Sequence, residues 1–92
     1  MLEVVSGQER TFGEALAGAK GIISSMPGFW SLRLGRCLER ANRFVLLVEW
    51  DTLEDHTEGF RGSARYQEWR GLLHHFYDPF PTVEHYDIVE TA

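Results

Sequence analysis

Seven consecutive residues, Phe44-Val45-Leu46-Leu47-Val48-Glu49-Trp50, constrain this chain more than any others. The run is too short for a buried helix and is rich in strand-forming residues. Side chains alternate across a strand, so Phe44, Leu46, Val48 and Trp50 share one face and Val45 and Leu47 the other. Both faces therefore need cover. Helices of the same chain can supply one cover. The other is expected from a second copy, making a homodimer. The alternative is a monomer with a shallow exposed apolar patch.

The flanking segments supply the helices. Ser6-Gly7-Gln8-Glu9 has the spacing of a capping box, with Ser6 as the expected N-cap. Phe12, Ala15, Leu16, Ala19, Ile22, Ile23 and Met26 then recur on one helical face until Pro27-Gly28 ends the helix. Phe29 to Leu38 reads as a strand, with Trp30, Leu32, Leu34 and Leu38 on one face, and Arg40-Ala41-Asn42-Arg43 turns it into the apolar run. Asp51 or Thr52 caps a further helical segment; Gly59 and Gly62 break it, and Ser63 caps a new helix carrying Tyr66, Trp69, Leu72, Leu73 and Phe76 on its apolar side. Pro79 ends that helix, and Thr82 to Val89 suits a last strand. With Met1–Val5 as a short first strand, the order is βαββαβ. The expected fold is α+β and ferredoxin-like: one domain over residues 1–92, an antiparallel sheet with both helices on one face.

Composition narrows the function classes. The net charge is -5, and Glu39 interrupts the basic cluster Arg33, Arg36, Arg40 and Arg43, so a nucleic-acid partner is not expected. The single Cys37 cannot form an internal disulfide. No signal peptide is legible, and no apolar run approaches ~18 residues, so a cytoplasmic protein without a membrane span is expected.

Met26-Pro27-Gly28-Phe29, Leu46-Leu47-Val48-Glu49-Trp50, Leu53-Glu54-Asp55-His56-Thr57 and Gly59-Phe60-Arg61 together form a recognisable pattern. Tyr66-Gln67-Glu68-Trp69-Arg70 and Leu73-His74-His75-Phe76-Tyr77-Asp78-Pro79-Phe80 complete it. From about Gln8 onward the chain resembles the antibiotic biosynthesis monooxygenase domain of the dimeric α+β barrel superfamily. It departs from that family at its beginning, where Met1–Val5 is shorter than the usual first strand. Either the strand is shortened or translation starts further upstream.

The resemblance implies a cavity between the sheet and the long helix, lined by Trp50, Phe60, Tyr66, Trp69, Phe76 and Tyr86. It also implies oxygenation of a small aromatic or polyphenolic compound with no metal and no other cofactor. Such chemistry needs a dry pocket, a proton acceptor and a hydrogen-bond donor for an anionic oxygen. His74 is the candidate base, because it flanks the apolar side of its helix while His75 points ~100° away. Tyr66 and Trp69 are the candidate donors. Trp50, Phe60, Phe76 and Tyr86 are candidate substrate contacts, and plain core packing is the competing reading for each. No metal-ligand spacing is present. Haem-degrading relatives place a tryptophan about three turns before a helix histidine; Ala64 and Arg65 stand there instead, and the one asparagine, Asn42, lies in a turn. A non-catalytic ligand-binding or structural dimer is the alternative function.

Overall fold

The computed structural model describes Met1–Ala92. Its elements are β1 (Leu2–Glu3), α1 (Glu9–Ser24), β2 (Phe29–Arg36), β3 (Arg43–Trp50), a π-helical segment (Asp55–Phe60), α2 (Ala64–Leu73) and a 3-10 turn (His74–Phe76). The sheet is antiparallel and three-stranded, in the order β1-β3-β2. The long apolar run is its central strand. This is the expected α+β, ferredoxin-like arrangement with both helices on one face.

The pairing of Leu32 with Val48, Leu34 with Leu46 and Arg36 with Phe44 sets which residues share a face. Phe44, Leu46 and Val48 turn toward the helices. There Phe12 of α1 is fully buried and meets the rings of Phe44 (5.3 Å) and Phe76 (5.7 Å). Val4, Ala19, Phe60 and Leu73 complete the most deeply buried positions. Each large side chain so buried contributes about 1.5–3 kcal/mol. The opposite face carries Ser31, Arg33, Gly35, Val45, Leu47 and Glu49. Leu47 is half-exposed there, and the Ser31 hydroxyl donates to Glu49 Oε1 at 2.8 Å. Of the central strand, Val45 and Leu47 are the apolar residues on that uncovered face.

Four local expectations are corrected. Ser6 does not cap α1: the helix starts at Glu9 after Gln8, and the Glu9 carboxylate accepts the Gly7 amide (3.0 Å), a turn that Gly7 closes at φ +90°. Trp30 does not join Leu32 and Leu34. A bulge between Phe29 and Ser31 turns Trp30 out to 69% exposure and gives its place opposite Trp50 to Phe29. Leu38 lies beyond the end of β2 and is fully exposed. The final strand over Thr82–Val89 is not formed. The outer edge of β1 is instead used by the segment just after the 3-10 turn. Val5 N–H donates to the Phe76 carbonyl (2.9 Å), Asp78 N–H donates to the Glu3 carbonyl (2.8 Å), and Val4 bridges Tyr77. With that edge taken, Val83, Tyr86, Ile88 and Val89 are left facing solvent.

Two devices hold short β1 in place. Glu3 Oε1 accepts from Arg43 (2.9 Å to Nη2) and Arg40 (3.3 Å), and the Arg43 hydrogen bond holds the Glu3 carboxyl below its usual range. The Asn42 side-chain amide donates to the Val4 carbonyl at 3.1 Å.

Candidate active site

The site starts where β3 ends. Asp51 N–H donates to the Gly28 carbonyl (2.7 Å), and the next residues form a reciprocal cap. Asp55 N–H donates to Thr52 Oγ1 (3.2 Å), and Thr52 N–H donates to Asp55 Oδ2 (3.1 Å). Gly28 sits against this carboxylate at φ +81°, and a Cβ there would collide with it. The cap opens the π-helical segment, a geometry that favours functional sites. Its wider turn brings His56 and Phe60 back toward Trp50. Ser63 then caps α2 by accepting the Tyr66 amide at 3.2 Å, which sets Tyr66, Trp69 and Leu73 on the inner side.

The result is a continuous chain of rings. Trp50 stacks on His56 (5.5 Å) and meets Phe29 (5.9 Å) and Phe60 (5.8 Å). Phe60 meets Tyr66 edge-on (5.2 Å) and Trp69 (5.9 Å). Tyr66 meets His74 (6.1 Å), and His74 meets Tyr77 (5.6 Å) and Phe80 (5.0 Å). Edge-to-face and offset contacts at these spacings are favourable.

Of the residues named from sequence, Trp50, Phe60, Tyr66, Trp69 and His74 belong to this chain. His74 is half-buried; burial first, then Arg70 and Arg61, push its pKa below the ordinary value. It is thus a neutral imidazole near neutral pH, able to accept a proton. His75 is exposed, with its ring against Phe76. Phe60 and Trp69 are buried at the inner side of the chain, and Phe76 is buried against Phe12. Tyr86 is 80% exposed, and its hydroxyl donates to Glu84 Oε2 (3.2 Å); the structure does not bring it to the other rings, because the strand that was to carry it is not formed. The expected aromatic-lined cavity is also absent as such, since these rings pack on one another. Two open cavities lie along α1 instead. One of 520 Å³ is lined by Glu9, Arg10, Leu34, Arg36 and Phe44; the other, of 610 Å³, runs from Ala17 to Ser24 against Phe29, Ser31 and Leu32.

Sequence reasoning missed three participants. Tyr77 packs on Phe12 (5.9 Å) and His74, and burial pushes its pKa up to about 12. His56 has its pKa lowered to about 4 by burial, then by Arg61 and His85. His85, from the tail, lies within hydrogen-bond distance of His56. The signal for His56 was present: it precedes Phe60 by one helical turn after the Thr52 cap. No three His, Cys, Asp or Glu side chains converge to hold a metal ion, and no helix is long and apolar enough to cross a membrane.

Fold and site together define an α+β sheet protein whose helices enclose an aromatic patch carrying two histidines, His56 and His74, whose pKa values burial lowers. The antibiotic biosynthesis monooxygenase family model matches residues 1–72. The uncharacterized protein YczJ of Bacillus subtilis (strain 168) is 55% identical over 89 residues, covering 97% of this chain and 94% of that one. The crystal structure of a candidate antibiotic biosynthesis monooxygenase from Bordetella bronchiseptica superposes with a TM-score of 0.92 at 32% identity, over 97% of this chain and 91% of the other. A second such candidate, from Nitrosomonas europaea, shares the fold at a TM-score of 0.69 and 22% identity, over 83% of this chain and 72% of its own. The chain belongs to the antibiotic biosynthesis monooxygenase family.

Proposed function

We propose that this protein is a cofactor-independent monooxygenase acting on a small aromatic or polyphenolic compound. The observation that carries the reading is His74: a neutral, half-buried imidazole ringed by Tyr66, Tyr77 and Phe80. A base in this setting deprotonates a phenolic ligand held against the rings. The resulting carbanion-like anion passes an electron to O2. Overall, an activated ring CH2 and O2 become a ring carbonyl and water, so electrons and atoms balance without a bound redox group. Oxygen uptake with panels of anthrones and hydroquinones tests the reading; stoichiometric uptake with quinone formation is the expected result, and none across the panel overturns it.

The close packing of the rings favours a second reading, ligand binding without turnover. Ligand-induced thermal stabilisation with no oxygen uptake separates it from the first.

The working unit in this proposal is a homodimer. Three features support it: β2 keeps an unpaired outer edge eight residues long, Leu47 is open on the uncovered face, and the tail exposes Val83, Tyr86, Ile88 and Val89. An exposed edge and an apolar strand-forming tail complement each other between two copies. A sedimentation equilibrium giving one chain per particle at micromolar concentration rejects the dimer. The unpaired Cys37 fits a reducing compartment, the cytoplasm.

A further inference from the structure

Three polar groups on the aromatic patch have no partner within the chain: the Tyr66 and Tyr77 hydroxyls and the His74 ring nitrogens. No side-chain nitrogen or oxygen is both buried and unpaired, so all three reach the surface of the patch. They are neighbours. The His74 ring lies 6.1 Å from that of Tyr66 and 5.6 Å from that of Tyr77, and Phe80 closes the group at 5.0 Å from His74 and 6.0 Å from Tyr77.

The two tyrosines differ in how firmly they are held. Tyr66 rides on the first turn of α2. Tyr77 is fixed on both sides: its N–H donates to the His74 carbonyl (3.3 Å), it bridges Val4, and the following amide, of Asp78, donates to Glu3 (2.8 Å). Phe12 packs on its ring edge-on at 5.9 Å. A rigid, partly desolvated donor makes a stronger hydrogen bond than a mobile solvated one. Burial also keeps the Tyr77 proton in place up to a pH of about 12, so the group donates throughout the physiological range.

We propose that Tyr77 is the hydrogen-bond donor that holds the oxygen of an aromatic ligand, phenol or phenolate, beside His74. This assignment rests on His74 facing the ligand, as in the function proposed above. Tyr66 and Phe80 then act as walls for the aromatic ring. The ligand class follows from the chemistry: flat rings for the ring-lined patch, and an oxygen for the donor and the acceptor carried by two neighbouring rings, 5.6 Å apart.

The test uses 4-nitrophenol, which reports its own ionisation by absorbance and offers no CH2 for oxygenation. Affinity is measured for the full-length wild type and for Tyr77→Phe, which keeps the ring packed on Phe12. The expected result is binding that weakens about tenfold in Tyr77→Phe, the size of a hydrogen bond to a charged oxygen. Should that variant fold poorly by thermal melting, the wild type labelled with 3-fluorotyrosine answers instead. Its three tyrosine signals are assigned through Tyr66→Phe and Tyr86→Phe, and 4-nitrophenol is expected to move the Tyr77 signal most. Undiminished affinity in a folded Tyr77→Phe, a Tyr77 signal that stays in place, or no binding to the wild type overturns the assignment. Tyr77-dependent binding with no oxygen uptake on the anthrone panel sinks the proposed reaction and leaves this inference standing. Turnover unaffected by Tyr77→Phe does the reverse.

Discussion

Nδ1 of His56 lies 2.9 Å from Nε2 of His85, joining the π-helical segment to a tail 29 residues further along the chain. One ring must donate and the other accept, so at least one is neutral. His56 fills the neutral role, stacked on Trp50 and held at a pKa of about 4. An unfolded histidine titrates near 6.5, so between pH 6.5 and 4 the unfolded chain binds a proton that the folded chain refuses. Stability from this group is complete above pH 6.5 and drains as pH falls toward 4. Discounted for the half-exposed ring, the loss is about 1–2 kcal/mol. His74, lowered by burial, Arg70 and Arg61, adds in the same direction. Denaturant melts across this range should show the slope, and His56→Gln should flatten it. An equal slope in wild type and variant removes His56 as its source.

Removing the tail contact should release His56. His85→Ala uncovers the ring and removes a charge that opposes its protonation, so both changes act in one direction. The His56 pKa is expected to rise toward 6.5, read by NMR of the imidazole nitrogens. A pKa that stays near 4 means the tail does not rest on His56 in solution.

At the alkaline end the sign reverses. Tyr77, pushed up to about 12 by burial and then by Tyr66, holds a proton that the unfolded chain loses near 10. Stability from Tyr77 is therefore present below pH 10 and lost as pH climbs through 12. A near-UV titration should show Tyr77 ionising near 12, beyond Tyr86, which Glu84 also raises, and Tyr77→Phe should abolish that last step.

Much of the architecture was legible because period and punctuation agreed. The apolar run read as a strand, and of the two cap candidates Asp51 and Thr52 the hydrogen bonds pick Thr52, while Ser63 starts α2 as its spacing announced. The failures have physical reasons. Trp30 was misplaced because a bulge adds one residue to β2, and alternation carries no mark of a bulge. The tail has strand-forming residues, but the β1 edge is already occupied by the segment just after the 3-10 turn; propensity cannot see which edges are taken. Within the site, His74 was found because α2 holds ordinary helical spacing up to it. His56 was passed over because its partners Trp50 and His85 lie outside its own segment, and only tertiary packing brings them to it. Tyr77 lies past the helix, where only tertiary packing brings it beside His74.

Gly28 joins α1 to β2, and two demands meet on it. Its φ of +81° disfavours any side chain, and a Cβ would displace the Asp55 carboxylate from the Thr52 amide. The backbone cost of about 1–2 kcal/mol adds to about 1 kcal/mol for the lost cap. Gly28→Ala should therefore destabilise the fold by about 2–3 kcal/mol in urea melts. Thr52→Val, which removes only the hydroxyl, should cost about 1 kcal/mol. If the two variants lose equal stability, the backbone conformation of Gly28 carries no strain for alanine.

The adjacent histidines give the sharpest functional contrast, because they share chemistry and differ in surroundings. His74 sits among Tyr66, Tyr77 and Phe80, while His75 is exposed against Phe76. Once a substrate is confirmed by oxygen uptake, His74→Gln should lower turnover about 10²- to 10⁴-fold, the range for removing a positioned base. The pH–rate profile of the wild type should show an acidic limb below the ordinary histidine value, because burial and the two arginines lower the pKa of His74. That limb should vanish in His74→Gln. His75→Gln should leave both rate and profile in place. A rate that survives His74→Gln with its acidic limb intact assigns proton removal to another group.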